Sequence, residues 1–502
     1  MIINIKEAAP SLGKTYGAVQ WAKDSEDRFI FSSISLLLCK QTYTLIKDKC
    51  PHKKVLMITS EESYVNGVFG RFKEALQEDW DIILVSHICL ELSYKQGLDF
   101  QEWNLIIDEV PNNLVEVSSV KQLVIDETTM FTPYLVRTAE KTKGNWTREI
   151  FKLKSGITTE LEERIDYLKS AGSKSMSREM QGLYEYLALG GAIQRWQEDT
   201  NLKEANYLYI KIINPLELLK TFKRVTLIAA NIKDTLLGKI WSSIFKINWK
   251  DEDNIKLRAD TLPNTDKITI YPLLPKESNM SRYLMDKKGG ENGETVFEMG
   301  LDAAKSFFGD EKFLYSVNTY REANVKNGIQ IPVKAHGLNN FSHLHNALLL
   351  FSYNPDSFTK EILMDLAIHF KLPEETFVDA FIVSNYLESS FQASTRLSTR
   401  NHTSVTPVKI LVADTRCANY LINTWFSCAK IDDSMRMELF DGRSNNTGRP
   451  KKSLPATLHM SKKERAKFYY LQRKEGKQYD TGNKEHVEEV KNWLVKFREE
   501  NK

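Results

Sequence analysis

The sequence predicts an α/β protein: two parallel-sheet domains in tandem, a helical insertion in the first, and a basic C-terminal module. Three observations carry this. Short, continuously apolar runs alternate with stretches of helical period, as in parallel sheets buried on both faces. The alternation stops over residues 118–222, resumes at 224 and starts afresh near 313. From Asp441 the composition turns basic and loop-like. The expected bounds are 1–240 for the first domain with its insertion at about 118–222, 241–440 for the second, and 441–502 for the basic module.

The first apolar run, with Ile2, Ile3 and Ile5, leads into Ala8-Ala9-Pro10-Ser11-Leu12-Gly13-Lys14-Thr15. Helical spacing follows in Tyr16, Ala18, Val19, Trp21 and Ala22. Strand, tight loop and helix form the context of a phosphate-binding loop. A helix start offers free N–H groups and the positive end of a dipole to an anion. Gly13 lets the backbone approach a phosphate, Lys14 reaches the β- and γ-phosphates, and Thr15 sets its hydroxyl on Mg²⁺, with Ser11 also expected at the nucleotide. Ala8 stands where the general G-x-x-x-x-G-K-[ST] pattern has its first glycine. An ordinary turn also accommodates an isolated Gly-Lys-Thr, so its weight depends on partners further along the chain.

A strand ends near Ser32, and residues 36–46 are expected to be helical, with Gln41 and Thr42 inside. Further runs at 55–60 and 81–87 end in Thr59, Ser60, Ser86 and His87. In such sheets ligands gather at the carboxyl ends of strands. Ser32, Ser33, Thr59, Ser86 and His87 outline that edge, although helix capping also accounts for Ser and Thr there. Trp103-Asn104-Leu105-Ile106-Ile107 then delivers Asp108 and Glu109 to a strand end. A buried carboxylate there is costly without a cation. With Mg²⁺–ATP, Asp108 holds the metal and Glu109 orients or deprotonates the attacking water.

Together, residues 8–15 and Asp108-Glu109-Val110-Pro111 resemble a superfamily-two (DEAD-like) helicase, in the compact, divergent form of bacteriophages and mobile elements. Residues 31–41 resemble its motif Ia, and Val85-Ser86-His87 its Ib region. The resemblance implies contacts to a nucleic-acid backbone by Ser33, Gln41, Ser86 and His87. It also implies two RecA-like domains.

Residues 118–222 are polar and largely helical in period, notably at 158–169 and 180–196. A core strand then returns at 224–231, where Thr226 to Asn231 resemble motif III. That motif usually ends in Ser-Ala-Thr, and here ends in Ala229-Ala230-Asn231. Residues 250–300 are charged and rich in loops, and hold either the hinge or a surface excursion. Residues 313–318 resemble motif IV, and 335–351 motif V. Gln392, Arg396 and Arg400 recur every four residues and would share one helix face. Like charges so spaced repel modestly, so the arrangement suits an anion rather than stability. In the family this is motif VI. The resemblance implies that Gln392 belongs to the site and that Arg396 and Arg400 reach the γ-phosphate, with the choice of arginine finger left open. A strand is expected at 408–414.

Residues 443–479 carry eleven basic residues against Glu464 and Glu475, an excess of nine charges, although the whole chain has a formal charge of only +3. Phe468, Tyr469 and Tyr470 lie among them. Cations that track phosphates beside rings that stack on bases suit nucleic acid, with Arg449, Lys451, Lys452 and Tyr469 as the named contacts. A solvated tail accounts for the same composition. The last helix, Lys484–Glu500, has Val487, Val490, Leu494 and Phe497 on one side.

The 502 residues are 42% hydrophobic and 27% charged, the balance of a globular protein of about three domains. No run of ~18 apolar residues suggests a membrane span, and the first residues do not read as a signal peptide. The five cysteines form no C-x-x-C pair and read as reduced structural thiols. The nine histidines show no zinc pattern. The expected cofactors are ATP and Mg²⁺. The expected partners are nucleic acid, DNA rather than RNA, and other replication proteins, with no membrane. The expected location is cytoplasmic, the host cytoplasm if viral. The predicted activity is nucleic-acid-dependent ATP hydrolysis driving unwinding or translocation, in replication or recombination. A DNA-packaging motor shares the loop and the carboxylate pair, but would carry acidic nuclease residues after the ATPase. A non-unwinding nucleic-acid-dependent ATPase or loader is the third class.

Overall fold

The computed structural model describes residues 1–94, 98–123, 133–143, 146–170, 175–198, 203–321, 323–335, 337–338, 340–401, 403–439 and 484–500. The chain forms two compact units, Met1–Phe440 and Asp441–Lys502.

The first unit contains two all-parallel sheets. The strands of the first sheet are β1 (Ile2–Glu7), β2 (Arg28–Ser33), β3 (Val55–Met57), β4 (Ile82–Ser86), β5 (Trp103–Asp108), β11 (Arg224–Ala229) and β12 (Asn248–Asp251). They lie in the order β12-β1-β11-β5-β2-β4-β3. Every pairing is parallel. All six residues of β5 are buried, which is why its sequence is apolar without alternation. The other parallel sheet is built from β13 (Ile268–Pro272), β14 (Phe313–Val317), β15 (Gly328–Gln330), β16 (Asn346–Leu350), β17 (Val408–Val412) and β18 (Lys430–Ile431). Its order is β15-β14-β16-β17-β13-β18. Helices flank both sheets, and the architecture is that of two tandem RecA-like α/β domains. The glycine-rich stretch 289–293 is a surface excursion of the second domain, between the helices Arg282–Asp286 and Val296–Phe308.

The insertion holds both helices and an antiparallel sheet. The helical periods become the helices Thr158–Ser170 and Ser175–Ala188. The rest is a five-stranded antiparallel sheet of β6 (Val115–Leu123), β7 (Leu135–Lys143), β8 (Trp146–Leu153), β9 (Ile193–Glu198) and β10 (Glu204–Ile212), ordered β6-β10-β9-β8-β7. The period expected over 180–196 therefore breaks at Ala188, and Ile193 starts a strand. Antiparallel strands expose one face, and the Ser, Lys and Glu on that face dilute the apolar signal. In Glu204–Ile212 the alternation survives only at the ends.

The insertion reaches the second domain. Arg148 of β8 pairs with Glu361 at 2.5 Å and stacks over Phe358 at 4.2 Å. Trp196 of β9 lies 5.9 Å from Phe358. One hydrophobic cluster joins the first sheet, the insertion and Ile362, Leu363, Leu366 and Phe377.

In the second unit the helix Lys484–Glu500 is described, with Val490 and Leu494 buried. The basic stretch with Arg449, Lys451, Lys452 and Tyr469 lies outside the described residues. Among the described residues no helix is long and apolar enough to cross a membrane.

Candidate active site

The loop after β1 packs down before it turns. Ala8 donates its N–H to the Ala229 carbonyl at 3.1 Å, and Ala8, Ala9 and Leu12 are buried in a cluster with the second domain's core. Ser11 and Gly13 have left-handed backbones, with φ of 74° and 92°. Gly13 has a second constraint, because an added Cβ would come within 2.8 Å of Arg258 Cγ. The helix Lys14–Asp24 starts here with no side-chain cap, which leaves its first N–H groups to the loop's own concavity.

Lys14 is buried and donates to the carbonyls of Ala8 at 2.5 Å and Ala9 at 3.1 Å. Burial lowers its pKa, against the raising pull of Glu109 and Asp108. Thr15 Oγ1 donates to Asp108 Oδ2 at 2.9 Å. Burial first, then neighbouring Glu109, pushes the Asp108 carboxyl up to about 7. Glu109 turns away from the strand with a φ of 70°, and its N–H is held by the Ile228 carbonyl at 2.9 Å. A left-handed non-glycine residue costs of order 1–3 kcal/mol and persists where its surroundings over-determine it.

The second domain supplies the facing wall. Gln392 lies in the helix Glu388–Ser394, but Arg396 and Arg400 do not continue it. The helix ends at Ser394, Leu397 is extended, and Arg400 closes a separate turn, Ser398–Arg400. The single-face helix expected from the spacing is therefore corrected. Its cause is local: Ser394 Oγ donates to the Phe391 carbonyl at 2.8 Å and Thr395 Oγ1 to that of Gln392 at 3.0 Å. Such back-bonding competes with helix propagation. Arg396 still meets Gln392, donating to its Oε1 at 3.0 Å and to the Leu338 carbonyl at 3.0 Å. Arg400 donates to the Thr395 carbonyl. Burial pushes Arg396 down to about 10. Burial, with Arg396 beside it, pushes Arg400 down to about 9.

Lys14, Thr15, Asp108 and Glu109 from one domain and Gln392, Arg396 and Arg400 from the other line one cavity of about 500 Å³, a size ordinary for a small-molecule site. Buried cations facing two carboxylates suit an anion that brings a metal with it. Thr15 and Asp108 are hard oxygen donors side by side, fit for a Mg²⁺ that keeps several waters.

Of the residues expected at nucleic acid, Gln41 lines this cavity, and Ser33, Ser86 and His87 are not part of its lining. Ser33 and His87 are buried, and His87 Nε2 is within 3.2 Å of the Ser32 carbonyl. Ser86 is half-buried at the start of the helix His87–Ser93. Gln41 lines the cavity and donates to the Gly337 carbonyl of the second domain at 3.0 Å. Ser33 and His87 are thus buried in this structure, and Gln41 is half-buried at the cavity wall.

A hydrogen-bond chain that the sequence did not announce crosses the same cleft. Asn231, just after β11, donates to Tyr420 Oη at 3.0 Å, and Tyr420 donates to Glu388 Oε1. Beside it, the Leu236 N–H donates to Ser384 Oγ at 2.7 Å. Glu109, Asn231, Glu388 and Gln392 border a second cavity of about 30 Å³, room for a single water. Glu388 lies one turn before Gln392, the only sequence signal it carries.

Burial pushes the Glu388 carboxyl up to about 8 from an ordinary 4.5, with Glu109 adding to the rise. A raised carboxyl favours the fold fully below pH ~4.5, and that contribution is lost as pH climbs through the folded value. Without nucleotide, Glu388→Gln is therefore expected to melt above the wild type at pH 9 and level with it at pH 4.5. Melting curves across that range check it; a constant offset would show that Glu388 is already ionised in the fold.

No protein-family model matches the chain, and no curated protein matches it either. Among solved structures, Xpd4 from S. tokodaii is similar over 86% of this chain and 96% of its own, with 11% identity and a TM-score of 0.45. Mss116p, solved with ssRNA and AMP-PNP, is similar over 86% of this chain and 71% of its own, at 9% identity and a TM-score of 0.35. The yeast DEAD-box splicing factor Prp28 covers 86% and 78%, at 9% identity and a TM-score of 0.22. Likenesses this distant carry nothing about the chemistry, which rests on the residues themselves.

Proposed function

We propose that this chain is an ATP-dependent nucleic-acid motor of the superfamily-two type, hydrolysing ATP in the cleft between its two RecA-like domains. One observation carries the reading: Lys14, Thr15, Asp108 and Glu109 converge with Gln392, Arg396 and Arg400, from the other domain, on a single cavity. Four residues on one domain and three on the other make a site that neither domain completes alone.

Lys14 would exchange the Ala8 and Ala9 carbonyls for β- and γ-phosphate oxygens, and the free N–H groups at the helix start would hold the remaining charge. Thr15 and Asp108 would hold Mg²⁺, which supplies charge neutralisation across the phosphates. Glu109 would take a proton from the attacking water as its oxygen bonds to the γ-phosphorus and the bond to the β–γ bridging oxygen breaks. Arg400 would meet the charge that develops there. Arg396, tied to Gln392 and Leu338, would set the position of Gln392.

The Asn231–Tyr420–Glu388 chain and the Leu236–Ser384 bond tie the two domains together beside Glu109. They offer a route by which γ-phosphate loss changes the domain contact, in the place where motif III of the family resemblance ends in Asn231 rather than threonine. The basic, aromatic stretch at 443–479 supports nucleic acid as the track. We take that track to be DNA, with a role in replication or recombination in a phage-like or mobile-element setting.

Lys14→Ala tests the assignment. It is expected to abolish ATP hydrolysis while the chain stays folded with a lowered melting temperature, because the Ala8 and Ala9 carbonyls lose their donor and Asp108 and Glu109 a neighbouring cation. Turnover and melting measured together decide it, and near-normal turnover would remove the phosphate-loop role.

A further inference from the structure

The cavity has two walls that the phosphate chemistry leaves unused. One is the helix Leu36–Lys49, where Leu38, Gln41, Thr42 and Leu45 line the cavity. Their spacing of i, i+3, i+4 and i+7 places them on one stripe. The other wall is Arg258 lying on Tyr16, with the guanidinium carbon 3.8 Å from the ring centroid. Both residues line the same cavity. The pair is held in place: the Arg258 N–H donates to the Leu12 carbonyl at 2.8 Å, and its stem covers Gly13. Tyr16 directly follows Thr15, so this platform adjoins the phosphate loop itself.

We infer that this slot seats the nucleobase: a purine ring stacks on the Arg258–Tyr16 pair, opposite the Leu38–Leu45 stripe. The inference rests on the nucleoside triphosphate reading of the cavity. A guanidinium is flat, weakly hydrated and stacks on ring faces, so a ring bound on the side away from Tyr16 extends an existing stack. A lysine ammonium has the charge but not the plane.

Hydrogen-bond readout of the base is slight. The Gln41 Nε2 donates to the Gly337 carbonyl, which anchors the side chain across the cleft. The Thr42 hydroxyl is buried and has no hydrogen-bond partner among the described residues. Sealed in this way, it offers a base edge neither a donor nor an acceptor. The seat therefore selects a purine by stacking area and separates ATP from GTP poorly, with CTP and UTP weaker than either.

Calorimetric titration of the full chain with ATP, GTP and inorganic tripolyphosphate tests this. The wild type is expected to bind ATP and GTP alike, and both about ten- to a hundredfold more tightly than tripolyphosphate. Arg258→Ala and Arg258→Lys should both bring ATP down toward the tripolyphosphate level, while tripolyphosphate affinity stays where it was. Tyr16→Leu, which removes the lower plate, should lose part of the same advantage. Arg258 is exposed, so its variants are expected to melt with the wild type. The seat is overturned if Arg258→Ala weakens tripolyphosphate as much as ATP and Arg258→Lys restores both, because Arg258 would then be a phosphate charge. It is also overturned if the wild type binds ATP and tripolyphosphate equally. Binding of neither ligand would overturn the triphosphate site and the base seat together.

Discussion

Arg400→Ala is expected to slow ATP turnover by about 10³- to 10⁵-fold, the worth of an arginine that meets charge in phosphoryl transfer, while nucleotide binding survives. The choice of Arg400 over Arg396 comes from their surroundings. Burial is the main cause that lowers the Lys14 pKa and the charge of Arg400 adds to it, which places Arg400 near the proposed phosphate loop. Arg396 is spent on Gln392 and the Leu338 carbonyl. Its removal should also reduce turnover, but with a lower melting temperature, because it strips a buried carbonyl and an amide of their donor. Single-turnover rates for both variants, beside their melting curves, separate the roles. A large rate loss in Arg396→Ala with intact stability, and only a few-fold loss in Arg400→Ala, would exchange them.

Glu109→Gln is expected to bind ATP and hydrolyse it about 10²- to 10⁴-fold more slowly, the usual contribution of a general base. The amide keeps the shape, and the left-handed backbone is fixed by the N–H bond to Ile228 rather than by the carboxylate. The variant should therefore trap the nucleotide-bound state. It also removes a charge that raises Asp108 and Glu388, so both carboxyls should titrate lower than in the wild type. Loss of ATP binding along with turnover would mean that Glu109 shapes the site rather than serving as base.

The elements of this fold that signal themselves in sequence are those whose physics is local. The runs that became β1, β2, β4, β5 and β11 are apolar because both faces of the sheet are covered. Asp108 and Glu109 stand out because a buried strand seldom ends in two carboxylates. The antiparallel insertion sheet was hidden because its solvent face is polar. Arg396 and Arg400 had the spacing of one helix, but the hydroxyls of Ser394 and Thr395 end that helix early. Their shared cavity is made by tertiary packing, which brings each arginine there by its own turn. Gln41, expected at nucleic acid, donates across the cleft to the Gly337 carbonyl. Arg258, Tyr420 and Glu388 belong to no motif. They matter only because folding brings residues far apart in sequence within a few ångströms of Gly13 and Asn231.

The most direct test of the account is ATP turnover by the full chain with and without single-stranded DNA, at fixed salt. The account predicts slow turnover alone and a rise on adding DNA, with both lost in Lys14→Ala. Turnover that is absent in both conditions, or equal with and without nucleic acid, would contradict it.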